Sequence, residues 1–207
     1  MTSALITAAE LKTMAGQENV RILDASYGQS PSDHGIPGAI DFDIDDVADP
    51  LAPLPHIIPS ADIFEQKAGA LGISNDDTII VYDRAGIAMA AARAWWMFRL
   101  FGHKNVRVLD GGLPAWLAAG GSLSVKQNPC QQKQYHATFQ PHLFKTKDDM
   151  LANIDKNDFI VFDARDKRRY AADVPEPRPG MHGGHIPGSL SMPFADLIDP
   201  ETGLMKS

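Results

Sequence analysis

The residues of this 207-residue chain best placed to do chemistry gather at turns. Asp83-Arg84-Ala85-Gly86 stands between a β-branched apolar run, Thr78 to Tyr82, and a long apolar stretch with helical character. A tight turn that feeds a helix start converges backbone N–H groups on one point and favours negative charge there. A thiolate at such a point is an activated nucleophile. The residue that occupies it here is a carboxylate, Asp83. The loop from 166 to 184 holds several arginines. A planar guanidinium can grip a carboxylate at two points, and a second can polarise an adjacent carbonyl. Taken alone, a loop arginine is most often a solvated surface charge.

Other reactive residue types are sparse. Cys130, the one cysteine, follows Pro129 in a polar stretch with no Gly-rich turn or helix start after it, so it reads as an incidental thiol. It cannot form an internal disulfide and fits a reducing compartment, taken as the cytoplasm. His34 and His185 stand beside similar turns and are expected to hydrogen-bond them. His182 and His185 are three apart, but no nearby cysteine or carboxylate completes a zinc set. Neither a metal nor a cofactor is expected.

The elements that position these residues occur twice. Gly184-His185-Ile186-Pro187-Gly188-Ser189 echoes His34-Gly35-Ile36-Pro37-Gly38-Ala39, and Asp163-Ala164-Arg165 echoes Asp24-Ala25-Ser26. Repetition at this separation means two copies of one domain. In the first copy, Thr7 and Glu10 open a short helix that stops near Gly16, and Val20 to Leu23 forms a strand. A second short strand runs from Ala39 to Phe42, and Ser60 caps a helix to about Leu71. Thr78 to Tyr82 is a buried central strand. Ile87 to Phe101 is the most apolar helix, its tryptophans read as core packing. Val106 to Leu109 forms a strand, and Asp110-Gly111-Gly112 turns into a helix through Trp116. Strands alternating with helices predict an α/β fold of tandem domains, each a mainly parallel sheet flanked by helices. Domain one is expected over 1–122, an interdomain linker over 123–141, and the second domain over 142–207. In the second copy Thr146 with Asp149 starts a helix and Phe159 to Phe162 forms the strand before Asp163, but the copy is incomplete. The counterpart of the Asp83 loop is expected roughly 25 residues beyond Ser207.

Net charge is −7, which disfavours nucleic acid and anionic membranes as partners. No apolar run is long enough to span a bilayer, and Met1 to Ala4 lacks the start of a secretory signal.

Taken in order, several segments resemble the two-domain rhodanese-type sulfurtransferases, and within them the 3-mercaptopyruvate sulfurtransferases. They include Leu23-Asp24-Ala25-Ser26, Phe42-Asp43-Ile44-Asp45, Pro53 to Pro59, Ala94-Trp95-Trp96-Met97-Phe98-Arg99, Leu109-Asp110-Gly111-Gly112-Leu113, Glu176-Pro177-Arg178-Pro179-Gly180 and Gly184-His185-Ile186-Pro187-Gly188. The resemblance implies a non-catalytic first domain and a second that supplies a catalytic cysteine, which becomes a persulfide. That cysteine would lie past Ser207, so these residues alone are expected to be inactive. It further implies that Arg169 and Arg178 bind mercaptopyruvate, whereas Arg165 and Arg168 are given no role. Asp45 and His56 match an aspartate and a histidine proposed to assist the cysteine. Structuring a proline-rich loop is an equal alternative for His56.

The implied partners are 3-mercaptopyruvate, a thiol acceptor, and a separate polypeptide carrying the missing C-terminal segment. Without that segment, residues 142–207 are expected to be disordered or completed by another polypeptide. Two alternatives remain open: a thiosulfate sulfurtransferase, and a non-catalytic rhodanese-like module for binding or regulation.

Overall fold

The computed structural model describes residues 3–127, 131–178 and 180–206; Cys130 lies outside the described residues. The chain divides into two compact units, one built on residues up to Leu143 with Thr202–Leu204, the other on Phe144–Glu201 with Met205 onward.

In the first unit the elements run β1 Leu5–Ile6, α1 Ala8–Met14, β2 Val20–Asp24, β3 His34–Gly35, β4 Ala39–Asp41, α2 Ala61–Ala70 and β5 Thr78–Tyr82. They continue with α3 Met89–Leu100, β6 Val106–Leu109, α4 Gly112–Ala118 and β7 Ser124–Val125. Five strands form a sheet in the order β1-β6-β5-β2-β4, and every pairing within it is parallel. The expected α/β architecture is therefore present, with β5 and β2 at the centre. A parallel sheet covered on both faces needs continuously apolar strands. Ile79, Ile80, Val81 and Tyr82 of β5 are all fully buried.

The helix starts follow their local chemistry. Thr7 and Glu10 form a reciprocal capping box on α1, and the Ser60 hydroxyl accepts the Ile63 N–H on α2. Helix α3 begins at Met89, two residues later than its apolar pattern suggests, because Ala88 is left-handed at φ +57°. The helix packs Phe98 against Phe42 and Phe64, and Phe64 in turn stacks on Phe101 at 4.3 Å.

The polar stretch read as a linker is not free. Lys133 N–H donates to Gly69 O, Asn75 and His136 exchange two hydrogen bonds, and Thr138 and Gln140 N–H donate to Phe101 and Leu100 carbonyls. Tyr135 is buried, stacks on His103 and meets its Nδ1 through the hydroxyl at 3.3 Å. Residues 131–143 thus lie as a strap on the first unit. The segment shows no periodicity because it pairs with fixed neighbours instead of forming an element of its own.

A buried carboxylate ties the sheet's C-terminal edge together. Asp24, at the end of β2, has a side chain 1% exposed and meets Lys126 Nζ at 2.8 Å. The Ser26 hydroxyl donates to Asp24 Oδ1 and the Tyr82 hydroxyl to Oδ2. Burial pushes Asp24 up, but the hydrogen bonds from Lys126 and Ser26 outweigh it and hold the carboxyl below its ordinary value.

The second unit contains α5 Lys147–Lys156, β8 Phe162–Asp163, α6 Lys167–Tyr170 and β9 Leu190–Ser191. Strands β8 and β9 pair in parallel, as β2 and β4 do. Its helices and strands are formed, against the first of the two outcomes expected for 142–207, disorder. Thr146 and Asp149 build a capping box on α5, and Asn153 fastens the helix to both backbone groups of Phe159. The strand expected over Phe159 to Phe162 shrinks to Phe162–Asp163, since β9 offers only two residues to pair with. Leu151, Phe162 and Leu190 are each about half exposed, so this unit presents an open apolar face.

Replacing Lys126 by Met should leave buried Asp24 with only the more distant Arg84, at 3.8 Å, as a charged partner, costing about 3 kcal/mol. Urea denaturation at pH 7 should read this as a lower midpoint with an unchanged slope. The stabilisation from Asp24 is complete above the ordinary carboxyl value of 3.8 and is lost as pH falls through its lower folded value. The gap between variant and parent should therefore narrow in acid.

Candidate active site

The loop after β5 does what its sequence promised. Asp83 is 3% exposed, and its Oδ1 accepts the Gly86 N–H at 2.7 Å. The turn closes through Gly86 at φ +75° and wedges against the Gly111–Gly112 turn. A Cβ on Gly112 would stand 2.4 Å from the Asp83 carbonyl oxygen, so only glycine fits that approach. Burial pushes the Asp83 carboxyl up, against the lowering pull of the Gly86, Ile87 and Ala91 N–H groups. Its Oδ2 is buried without a hydrogen-bond partner. The loop is an anion cradle filled by its own side chain, with no nucleophile in it.

A second cluster forms where the acidic, proline-rich loop folds back. His56 Nδ1 lies 2.8 Å from Asp45 Oδ1, close enough to pair although not aligned as a hydrogen bond. The two residues singled out in the sequence are thus brought together. His56 is left-handed at φ +60°, and its carbonyl accepts Arg93 Nη2 at 2.6 Å. Arg93 in turn lies over the Trp96 ring at 4.7 Å. Tyr27, which the sequence did not single out, meets His56 edge-on and brings its hydroxyl to 3.4 Å from Nε2. Both imidazole nitrogens therefore have a polar neighbour, the arrangement that lets a histidine move a proton. The Asp-Ala-Ser turn that carries the chain to Tyr27 was legible, but nothing in the spacing signalled this contact.

In the second unit Asp166 caps the short helix α6, which carries Arg169. Arg169 pairs with Glu176, Nη2 to Oε2 at 2.5 Å and Nε to Oε1 at 3.3 Å. Arg165 pairs with both Asp163 and Glu176. The side-chain hydrogen bond from Arg169 is the main reason Glu176 is held below the ordinary carboxylate range. Arg178 is exposed and carries no ion pair among the described residues. His185 stacks on Tyr170 of α6 at 3.8 Å, and its Nδ1 meets the Tyr170 carbonyl at 2.9 Å, rather than bonding the turn beside it. A cavity of about 730 Å³ opens between α5 and the Ile186-Pro187 turn, lined by Met150, Ile154 and Val161 among others, but by neither Arg169 nor Arg178. Among the described residues no His, Cys, Asp and Glu cluster could hold a metal, and no helix is long and apolar enough to cross a membrane.

Residues 7–119 match the family model described as a rhodanese-like domain. The chain is 38% identical over 217 residues to 3-mercaptopyruvate sulfurtransferase of Rattus norvegicus, covering all of this chain and 73% of the rat protein. It is 37% identical over 199 residues to thiosulfate sulfurtransferase of Bos taurus, covering 91% of this chain and 66% of the bovine protein. Among solved structures, the Escherichia coli SseA crystal structure, described as showing the fold and mechanism of 3-mercaptopyruvate sulfotransferases, superposes with a TM-score of 0.86 at 31% identity. That match covers all of this chain and 80% of the other.

Replacing Asp83 by Asn removes a charge whose burial is unfavourable while keeping an acceptor for Gly86. Thermal denaturation at pH 7 should show a higher midpoint for Asp83→Asn. Because the folded-state value of this carboxyl is raised, the gain should be full above that value and vanish below 3.8, where both states are protonated.

Proposed function

The chain belongs to the rhodanese-type sulfurtransferases, an enzyme family, and on that premise we propose that it forms the donor-binding part of an enzyme that moves sulfur from 3-mercaptopyruvate to a thiol or cyanide acceptor by way of a cysteine persulfide. The reaction needs a thiolate that attacks the donor sulfur. The new S–S bond forms as the carbon–sulfur bond breaks, and the electron pair leaves on carbon as an enolate that takes up a proton to give pyruvate. Arg169 and Arg178 hold the donor's carboxylate and stabilise charge on its carbonyl oxygen. His56, oriented by Asp45, handles the proton. Asp83 takes the nucleophile's place in the first repeat and cannot carry sulfur.

The observation that carries this reading is Arg178, an exposed guanidinium without an ion pair among the described residues, directly after Glu176-Pro177 in a chain so similar to the rat enzyme. The resemblance drawn from sequence assigns Arg178 to mercaptopyruvate binding. The bovine relative keeps thiosulfate as the second reading.

Isothermal titration of the 207-residue chain with each donor tests the choice. The expected outcome is that 3-mercaptopyruvate binds more tightly than thiosulfate, and that Arg178→Ala weakens it at least tenfold, the loss of one charge-assisted hydrogen-bonded contact. Thiosulfate binding as tightly, or Arg178→Ala binding unchanged, would overturn the reading. Pyruvate release should stay at the uncatalysed rate in both the parent and Cys130→Ser. Enzymatic release that Cys130→Ser abolishes would make Cys130 the nucleophile and refute the assignment.

A further inference from the structure

Four charges alternate through the second unit, and their geometry restricts what Arg169 can do. Asp163 takes the Nε and Nη2 edge of Arg165, at 2.9 Å and 2.5 Å. Arg165 passes Nη1 on to Glu176 Oε1 at 3.0 Å. Glu176 then takes the matching Nε and Nη2 edge of Arg169. The Glu176 side chain is 5% exposed, against 32% for Arg169. The carboxylate is therefore the buried pivot and the guanidinium the accessible partner.

A guanidinium offers its two-point grip chiefly along an edge with two parallel N–H groups. On Arg169 the Nε edge is already closed by Glu176. The Nη1–Nη2 end remains open, with Nη1 unpartnered among the described residues. Arg178 differs: neither of its edges is occupied among the described residues. The two arginines thus cannot be interchangeable.

We propose that Glu176 is a positioning residue that locks Arg169 by its Nε edge, so that Arg169 presents its Nη1–Nη2 end, already held in place, to a small 2-oxo acid. This rests on the reading of both arginines as donor-binding residues. Glu176 itself touches no substrate. Its contribution is to order a long side chain before the ligand arrives, so that the ordering cost is not met on binding. Arg165 and Asp163 serve the same lock from behind, by holding Glu176.

The test uses the full 207-residue chain and ¹H–¹⁵N spectra of the arginine Nε–Hε groups, with 3-mercaptopyruvate as the probe. In the parent, Arg169 Hε should be protected from exchange and Arg178 Hε should not. Glu176→Gln should release Arg169 Hε and weaken 3-mercaptopyruvate binding about tenfold, the cost of ordering one arginine side chain on binding. Arg178→Lys should weaken binding while leaving the Arg169 signal in place. The proposal falls if Arg169 Hε exchanges as fast as Arg178 Hε in the parent, a measurement that needs no variant to fold. It also falls if Glu176→Gln binds as the parent does. Should the parent fail to bind 3-mercaptopyruvate while Glu176→Gln still frees Arg169 Hε, the lock stands and the donor assignment is the part that fails.

Discussion

The carboxylate that ends β2 in the first repeat and β8 in the second is the constraint on which the rest depends. Asp24 stands where β2 leaves the sheet, and its two oxygens gather groups from distant parts of the chain: the Ser26 hydroxyl, the Tyr82 hydroxyl at the end of β5, and the Lys126 ammonium. Through Ser26, whose hydroxyl accepts the Arg84 N–H, the same cluster holds the loop that carries Asp83. A buried charge with so many partners is costly to disturb, because each partner lost leaves desolvation uncompensated.

The second repeat uses the same aspartate differently. Asp163 is followed two residues later by Arg165 where the first repeat has Ser26. The short serine reaches only the Asp24 carboxylate and the Arg84 N–H beside it. An arginine spans further, and here it relays the charge from Asp163 to Glu176 and on to Arg169. One change of residue type converts a packing anchor into an ordered row of charges. The first repeat turns its polar groups inward, and the second leaves Arg169 and Arg178 accessible.

The two reactive loops of the first unit follow one rule as well. Asp83 fills its own cradle of N–H groups, and His56 is held by Asp45, Arg93 and Tyr27. Both rely on backbone in unusual conformations, Ala88 and His56 at positive φ. Each is fixed by several neighbours, which is what keeps such strain in place.

Much of this was legible in the chain itself. The repeat, the α/β alternation and the apolar strand at Thr78–Tyr82 follow from periodicity and spacing, because local sequence determines which faces must be buried. The loop after β5 was legible for the same reason, as were the capping residues Thr7, Ser60 and Thr146. Family resemblance added Asp45, His56, Arg169 and Arg178. Only the tertiary structure decided which groups meet. It brought Tyr27 to His56 and Lys126 to Asp24, contacts spanning 29 and 102 positions that no local pattern encodes. It laid the polar residues 131–143, read from composition as part of an interdomain linker, along the first unit. It closed one edge of Arg169 with Glu176. Residue type states what a side chain can do, but its free valences depend on neighbours that the fold alone supplies.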